Sequence, residues 1–173
     1  MRVSNEIEIT PKTVILNGQP IEVQETGEKM LVELYRRYVK DYPKFFKMDT
    51  LSRLGFIAAE LLLKDHPVDT VILANRSASI KNDTDYIATI SDGNYYPSPA
   101  LFVYTLPNIV TGEIAIRHHI QGETSFYILD KLEELEPIIR STLNDTISTI
   151  LVGWCECSQA NEFYAKLQII WNN

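Results

Sequence analysis

A chain of 173 residues with 45% hydrophobic and 23% charged side chains is long enough to close one well-buried core without help from disulfides or a metal. Its net charge of −7, with the basic residues scattered, argues against a nucleic-acid partner, because affinity for phosphate backbones rests on concentrated Lys and Arg. The longest apolar stretches, 56–63 and 147–155, fall well short of the roughly 20 residues that span a bilayer. The acidic start MRVSNEIEIT lacks the apolar core of a secretory signal, so the expectation is one domain over 1–173, cytoplasmic and without a membrane partner.

Residues 6–23 read as a hairpin set apart from the main core: Ile7, Ile9, Val14, Leu16, Ile21 and Val23 alternate within two arms around Asn17-Gly18, a strong turn signal. From Glu28 to Val39, Met30, Leu31, Leu34, Tyr35 and Tyr38 recur at helical spacing, and Tyr42-Pro43 is expected to end that helix. Arg36, Arg37, Lys40, Lys44 and Lys47 form the one basic cluster, read either as a solvated helix face with its following loop or as a docking patch for an acidic protein. Asp49 or Thr50 then caps a buried helix carrying Leu51, Leu54, Ala58, Leu61 and Leu62.

Thr70 to Leu73 is a buried strand with a polar exit, Ala74-Asn75-Arg76-Ser77. The polar region 81–96 reads as a capped turn; Asn82, Asp83 and Asp85 do not have the spacing or the closing Glu of a calcium loop. Pro107 to His119 is a helix, with Ile109, Val110, Ile114 and Ile116 or His118 on its apolar face and Gln121-Gly122 as its stop. Ser125 to Leu129 reads as a short buried strand. Asp130 to Leu143 is helical, with a kink or a start at Pro137. Strands at Thr149–Cys155 and Phe163–Trp171 complete an α/β layered pattern. Cys155 and Cys157 share one strand face, and Cys-x-Cys alone is half a metal site at best, so no metal and no cofactor is expected.

The run from Pro97 to Gly122 carries a more specific signal. Ser98, Pro99, Phe102, Asn108, Gly112, Ile114, Ala115 and Gly122 follow the order S-P-x-x-F, N-x-x-x-G-x-I-A and a closing Gly. This resembles the segment that leads to the nucleophile in β-ketoacyl synthases of the thiolase superfamily. Met48, Asp49, Arg53, Ala58 and Ala59 are similar to the family's M-D…A-A helix, and Gly153-Trp154-Cys155-Glu156 resembles its G-G-x-E strand end. The resemblance is strongest over 45–160 and covers only the first half of a ketosynthase. It implies a three-layer α/β/α half-thiolase domain with a mixed sheet of about five strands, beside the N-terminal hairpin.

The resemblance fails where the chemistry should be. The family's nucleophile follows the strand after the Gly, at a helix N-terminus whose dipole and amides lower its pKa. Here Thr124-Ser125-Phe126-Tyr127-Ile128-Leu129-Asp130-Lys131 holds no cysteine, and Cys155 falls one strand later. The family's two histidines, borne by its second half, have no counterpart. His118-His119 cannot replace them, since adjacent helical residues point about 100° apart; one is expected to pack and the other to be exposed. His66 is expected to be solvated, and Ser98, Thr124 and Ser125 sit in no nucleophile elbow. The implied reading is a non-catalytic ketosynthase-like subunit of fatty acid, polyketide or aryl-polyene-type biosynthesis, pairing with itself or a complete ketosynthase. Its interface residues by that resemblance are Phe102, Tyr104, Asn108, Phe126 and Tyr127, with ordinary core as the competing reading. The basic cluster would meet acyl carrier protein. The alternative is a condensing or acyl-transfer enzyme active only when a partner supplies the nucleophile and histidines.

Overall fold

The computed structural model describes residues 2–64, 66–90, 93 and 96–172. Seven strands form one mixed sheet in the order β3-β2-β1-β7-β6-β4-β5. Their ranges are β1 Arg2–Ile9, β2 Val14–Leu16, β3 Gln19–Pro20, β4 Thr70–Asn75, β5 Thr124–Ile128, β6 Thr149–Gln159 and β7 Glu162–Trp171. β4 runs parallel to both β5 and β6, while β7 is antiparallel to β6 and β1. The count exceeds the expected five because β2 and β3 extend the sheet beyond β1 instead of standing apart.

The N-terminal hairpin therefore needs correction. Asn17-Gly18, both at positive φ, joins the short β2 and β3, while β1 turns into β2 through Thr10–Thr13. β1 also pairs along its length with β7, from Arg2↔Trp171 to Ile9↔Ala165, and Ile7 and Ile9 are fully buried in the main core. Partners more than 150 residues away put this arm in the core, which a local pattern does not reveal.

On the first sheet face lie helices α1 (Gly27–Leu34), α2 (Thr50–Leu63) and α5 (Ile109–His118), whose apolar sides meet Leu151, Cys155, Leu167 and Ile169. α2 begins where expected: Asp49 is extended and its carboxylate accepts from Ser52 N at 3.0 Å. α1 is shorter than expected, continuing as one π-helical turn over Tyr35–Val39 and ending at Lys40, whose φ is 70°. A 3₁₀ turn at Pro43–Lys47 follows, held by Phe45 stacked on Tyr35 at 4.4 Å. The second face is covered by α6 (Leu135–Thr142), where Leu135 and Ile139 pack on Ile72, Ile150, Val152 and Ile170. Pro137 lies in the first turn of α6, where its missing N–H disturbs nothing. Three layers, α/β/α, result.

Two helices lie between β4 and α5: α3 (Ile80–Ile87) and α4 (Pro99–Val103), the latter capped by Ser98 Oγ accepting from Leu101 N. The expected capped turn at 81–96 is thus in part a helix; Ser91, Asp92, Asn94 and Tyr95 lie outside the described residues. Asn82, Asp83 and Asp85 are each engaged within the chain: Asn82 donates to Leu101 O at 2.7 Å, Asp83 accepts from Ser79 at 3.0 Å, and Asp85 pairs with Lys81. β5 is an edge strand and half-buried, not fully buried as its composition implied.

Candidate functional site

β4 leaves toward the helices of the first face, while β5 leaves toward α6 on the second. Their exits part at the carboxyl ends of these neighbouring strands, the place in an open α/β sheet where a crevice forms. Asn75, fully buried at the end of β4, shapes the exit: its amide donates to Ala78 O at 2.9 Å and accepts from Ala78 N at 2.8 Å, with Ala78 at φ 50°. Leu129 N donates to Asn75 O at 2.9 Å, tying the two exits together. Glu156, at the end of β6, accepts from Arg76 N at 2.8 Å through Oε2, while Arg76 Nε lies 3.8 Å from the exposed Asp130.

The segment after β5 is Leu129-Asp130-Lys131, followed by a 3₁₀ turn over Leu132–Glu134 and then α6. No thiol stands there. Glu133, Glu134 and Glu136 surround the positive end of the helix, where their charges oppose any thiolate or oxyanion.

The two cysteines are inert. Both are free and buried on the first face of β6; Cys155 Sγ donates to Leu51 O at 3.7 Å beneath α2. Burial pushes the Cys155 thiol well above its ordinary value, with nearby Cys157 adding to the effect, and pushes Cys157 up to about 12. A nucleophile needs thiolate, and burial of this kind keeps both protonated.

The histidines lie at the wrong end of the sheet. α5 runs back to the start of β5, so His118 and His119 sit near the amino end of the strands, away from the crevice. His119 is exposed at φ 55°, while His118 packs with Nε2 3.0 Å from Glu60 Oε1, at ion-pair distance without hydrogen-bond alignment. Arg117 donates to Glu60 at 2.9 Å and to Asp41 at 2.7 Å. Burial works to raise the Glu60 pKa, but His118 and Arg117 outweigh it and hold the carboxyl below its ordinary value. Four residues earlier, buried Glu113 accepts from Tyr42 at 3.2 Å and pairs with Lys44 at 2.6 Å. Together these contacts clasp the 41–44 segment onto α5 and form no catalytic constellation. His66, half-buried beside Pro67, lines a cavity of about 360 Å³ with His118. Among the described residues, no group of three or more His, Cys, Asp or Glu could hold a metal.

No family model matches the chain, and no curated protein matches its sequence. Among solved structures it is similar to a chain of the ketosynthase (ApeO) in complex with its chain length factor (ApeC) from Xenorhabdus doucetiae. The TM-score is 0.73 at 12% identity, over 99% of this chain and 79% of that one. The fold is that of a thiolase-like ketosynthase.

Within this thiolase-like frame two glycines of the sequence resemblance have a steric reason. A Cβ on Gly122 would meet Asp69 O at 2.1 Å, and one on Gly153 would meet Lys166 O at 2.0 Å. Gly112, in the middle of α5, has nothing within 4 Å of a Cβ position.

The expected interface residues scatter. Phe102 is 56% exposed and Tyr104 only 8%. Asn108 is exposed just before α5, whereas half-buried Phe126 and Tyr127 turn to opposite faces of β5, Phe126 toward the first-face core and Tyr127 toward the α6 side. The basic cluster is divided as well. Arg37 donates to Glu22 O and pairs with Glu33, and Lys44 is spent on Glu113. Arg36 opens onto a groove of about 1070 Å³ that also presents Glu22, Glu25 and Glu28. No ion pair engages Arg36, Lys40 or Lys47 among the described residues. Sequence reasoning missed the Glu60–Arg117–His118 cluster, because its members come from two helices more than 50 residues apart. No helix among the described residues is long and apolar enough to cross a membrane.

Proposed function

We propose that this chain is a ketosynthase-like subunit without catalytic chemistry of its own, which assembles with a complete ketosynthase in the synthesis of fatty acid, polyketide or aryl-polyene-type chains. One observation carries the reading: the position after β5 holds Asp130 between Leu129 and Lys131 at an acid-flanked helix start, while both thiols lie buried and protonated one strand away. The scaffold is kept and the reactive group is absent. The similar solved structure supports the assembly, since it is a ketosynthase in complex with a chain length factor. Arg36, Lys40 and Lys47 are the cations that an acidic acyl carrier protein would meet; Lys44 already has its partner.

Mass spectrometry of the protein after incubation with malonyl- and acyl-loaded carrier protein, with and without a ketosynthase from the same source, tests this. The expected result is no acyl adduct on this chain and a stable complex with the ketosynthase. An adduct on Cys155 or Cys157, or condensing activity that needs a group from this chain, would overturn it in favour of a shared-site enzyme.

A further inference from the structure

The α3–α4 pair is built inside out. The polar residues of its inner side are buried: Ser79 donates to Thr105 O at 2.6 Å and Asn82 to Leu101 O at 2.7 Å, and Asn82 is the sole buried residue of α3, while α4 has none. The large apolar residues point outward instead, with Ile87 64%, Ile90 53%, Phe102 56% and Leu106 54% exposed. A helix pair with polar anchors inside and apolar side chains outside is stable in water only at a cost, and such a patch marks a surface that another molecule covers.

α5 adds an independent sign. Gly in the middle of a helix costs about 0.5–1 kcal/mol relative to Ala, yet no atom of this chain lies where a Gly112 side chain would go. Ile116, one turn further on, is 62% exposed, and Asn108, one turn before, is exposed too. A closely approaching second backbone supplies the missing reason for a glycine. The occupant's chemistry follows from charge. Between Tyr86 and Glu113 the sequence holds one charged residue, Asp92, in a chain of net charge −7. The second sheet face is finished the opposite way: α6 turns Glu133, Glu136 and Arg140 to solvent, and Lys166 pairs with Glu6 at 3.4 Å across β7 and β1.

The geometry points to the outward sides of α3, α4 and α5 as the docking surface for the ketosynthase, an uncharged apolar contact on one flank of the sheet, with the second face left in water. This assignment rests on the partner reading above. Hydrogen exchange of the chain alone and with a complete ketosynthase from the same source tests it. Slowed exchange is expected over 80–90 and 99–118, with 131–143 and 162–168 unchanged. Phe102→Lys and Leu106→Lys should each weaken the complex about tenfold or more, with an unaltered far-ultraviolet spectrum, while Arg140→Glu leaves binding intact. Protection confined to α6 and the β7–β1 face, in a complex that does form, overturns the surface and leaves the partner reading standing. No complex with the wild-type chain overturns the partner reading itself. A dimer of this chain alone that Phe102→Lys dissolves gives the surface to a second copy and overturns the occupant.

Discussion

α2 and the α3–α4 pair are helical elements of one chain, organised in opposite ways. α2 buries eleven of its fourteen residues, among them Gly55, whose missing Cβ lets Val110 of α5 and Cys155 of β6 close in from two sides. α3 buries one residue of eight and α4 none. Tertiary burial holds the first, a few polar anchors hold the second, and apolar content is similar in both. The lesson is that hydrophobic residues in a helix report contact with something, and only their direction says whether that is the chain's own core. The sharpest way to break the contrast is to truncate one ring in each element. Phe56→Ala, at a fully buried site stacked on Tyr42 at 5.0 Å, should cost about 3–5 kcal/mol in urea unfolding. Phe102→Ala should stay within about 0.5 kcal/mol in the isolated chain. Comparable losses at the two sites would show that α4 is packed as core.

Asn82→Ala sets the next largest effect. Removing the amide leaves Leu101 O without its donor and should cost about 1–2 kcal/mol. Because the bond joins α3 to α4, exchange of the amides over 80–103 should accelerate while those of α2 keep their protection. Uniform acceleration across both elements would mean that the pair unfolds only with the core.

How much of this was legible in the residues follows the same division. The Asp49 cap, the stop near Gly122, the strand at 70–75 and the absent nucleophile could be read from local spacing, since each depends on neighbours in the chain. The place of β1 in the main sheet could not, because its pairing with β7 is non-local. The helix at 80–87 was read as a turn, because its buried side carries Asn82 and the period of its apolar residues describes the outside. For the site, sequence spacing located the empty nucleophile position, but it assigned the interface to Tyr104, which is buried, and passed over Ile87, Ile90 and Leu106.

Acid titration separates the two regions by charge. Glu60 joins α2 to Arg117 and His118 of α5, and its folded pKa lies below the ordinary 4.5. A lowered carboxylate stabilises the fold above its unfolded value, and the contribution is lost as pH falls through the folded value. Asp49 behaves oppositely: burial raises its pKa, so its charge costs stability above the folded value and the cost vanishes in acid. Glu60→Gln should therefore flatten the acid limb of stability against pH between about 5 and 3, and Asp49→Asn should steepen it. An unchanged limb in Glu60→Gln would show that the α2–α5 contact does not depend on this ion pair.

The smallest effect has the opposite sign and discriminates best. At Gly112 nothing obstructs a methyl group and the backbone is helical, so Gly112→Ala lowers the entropy of the unfolded chain without strain in the folded one. The isolated protein should gain about 0.5–1 kcal/mol. The same methyl group would stand between α5 and an approaching ketosynthase backbone, so binding should weaken while stability rises. A core position cannot give that pair of results, since there stability and partner binding fall together. A gain in stability with binding unchanged would release α5 from the contact and confine it to α3 and α4; a loss of stability would place a neighbour within this chain where the structure leaves open space.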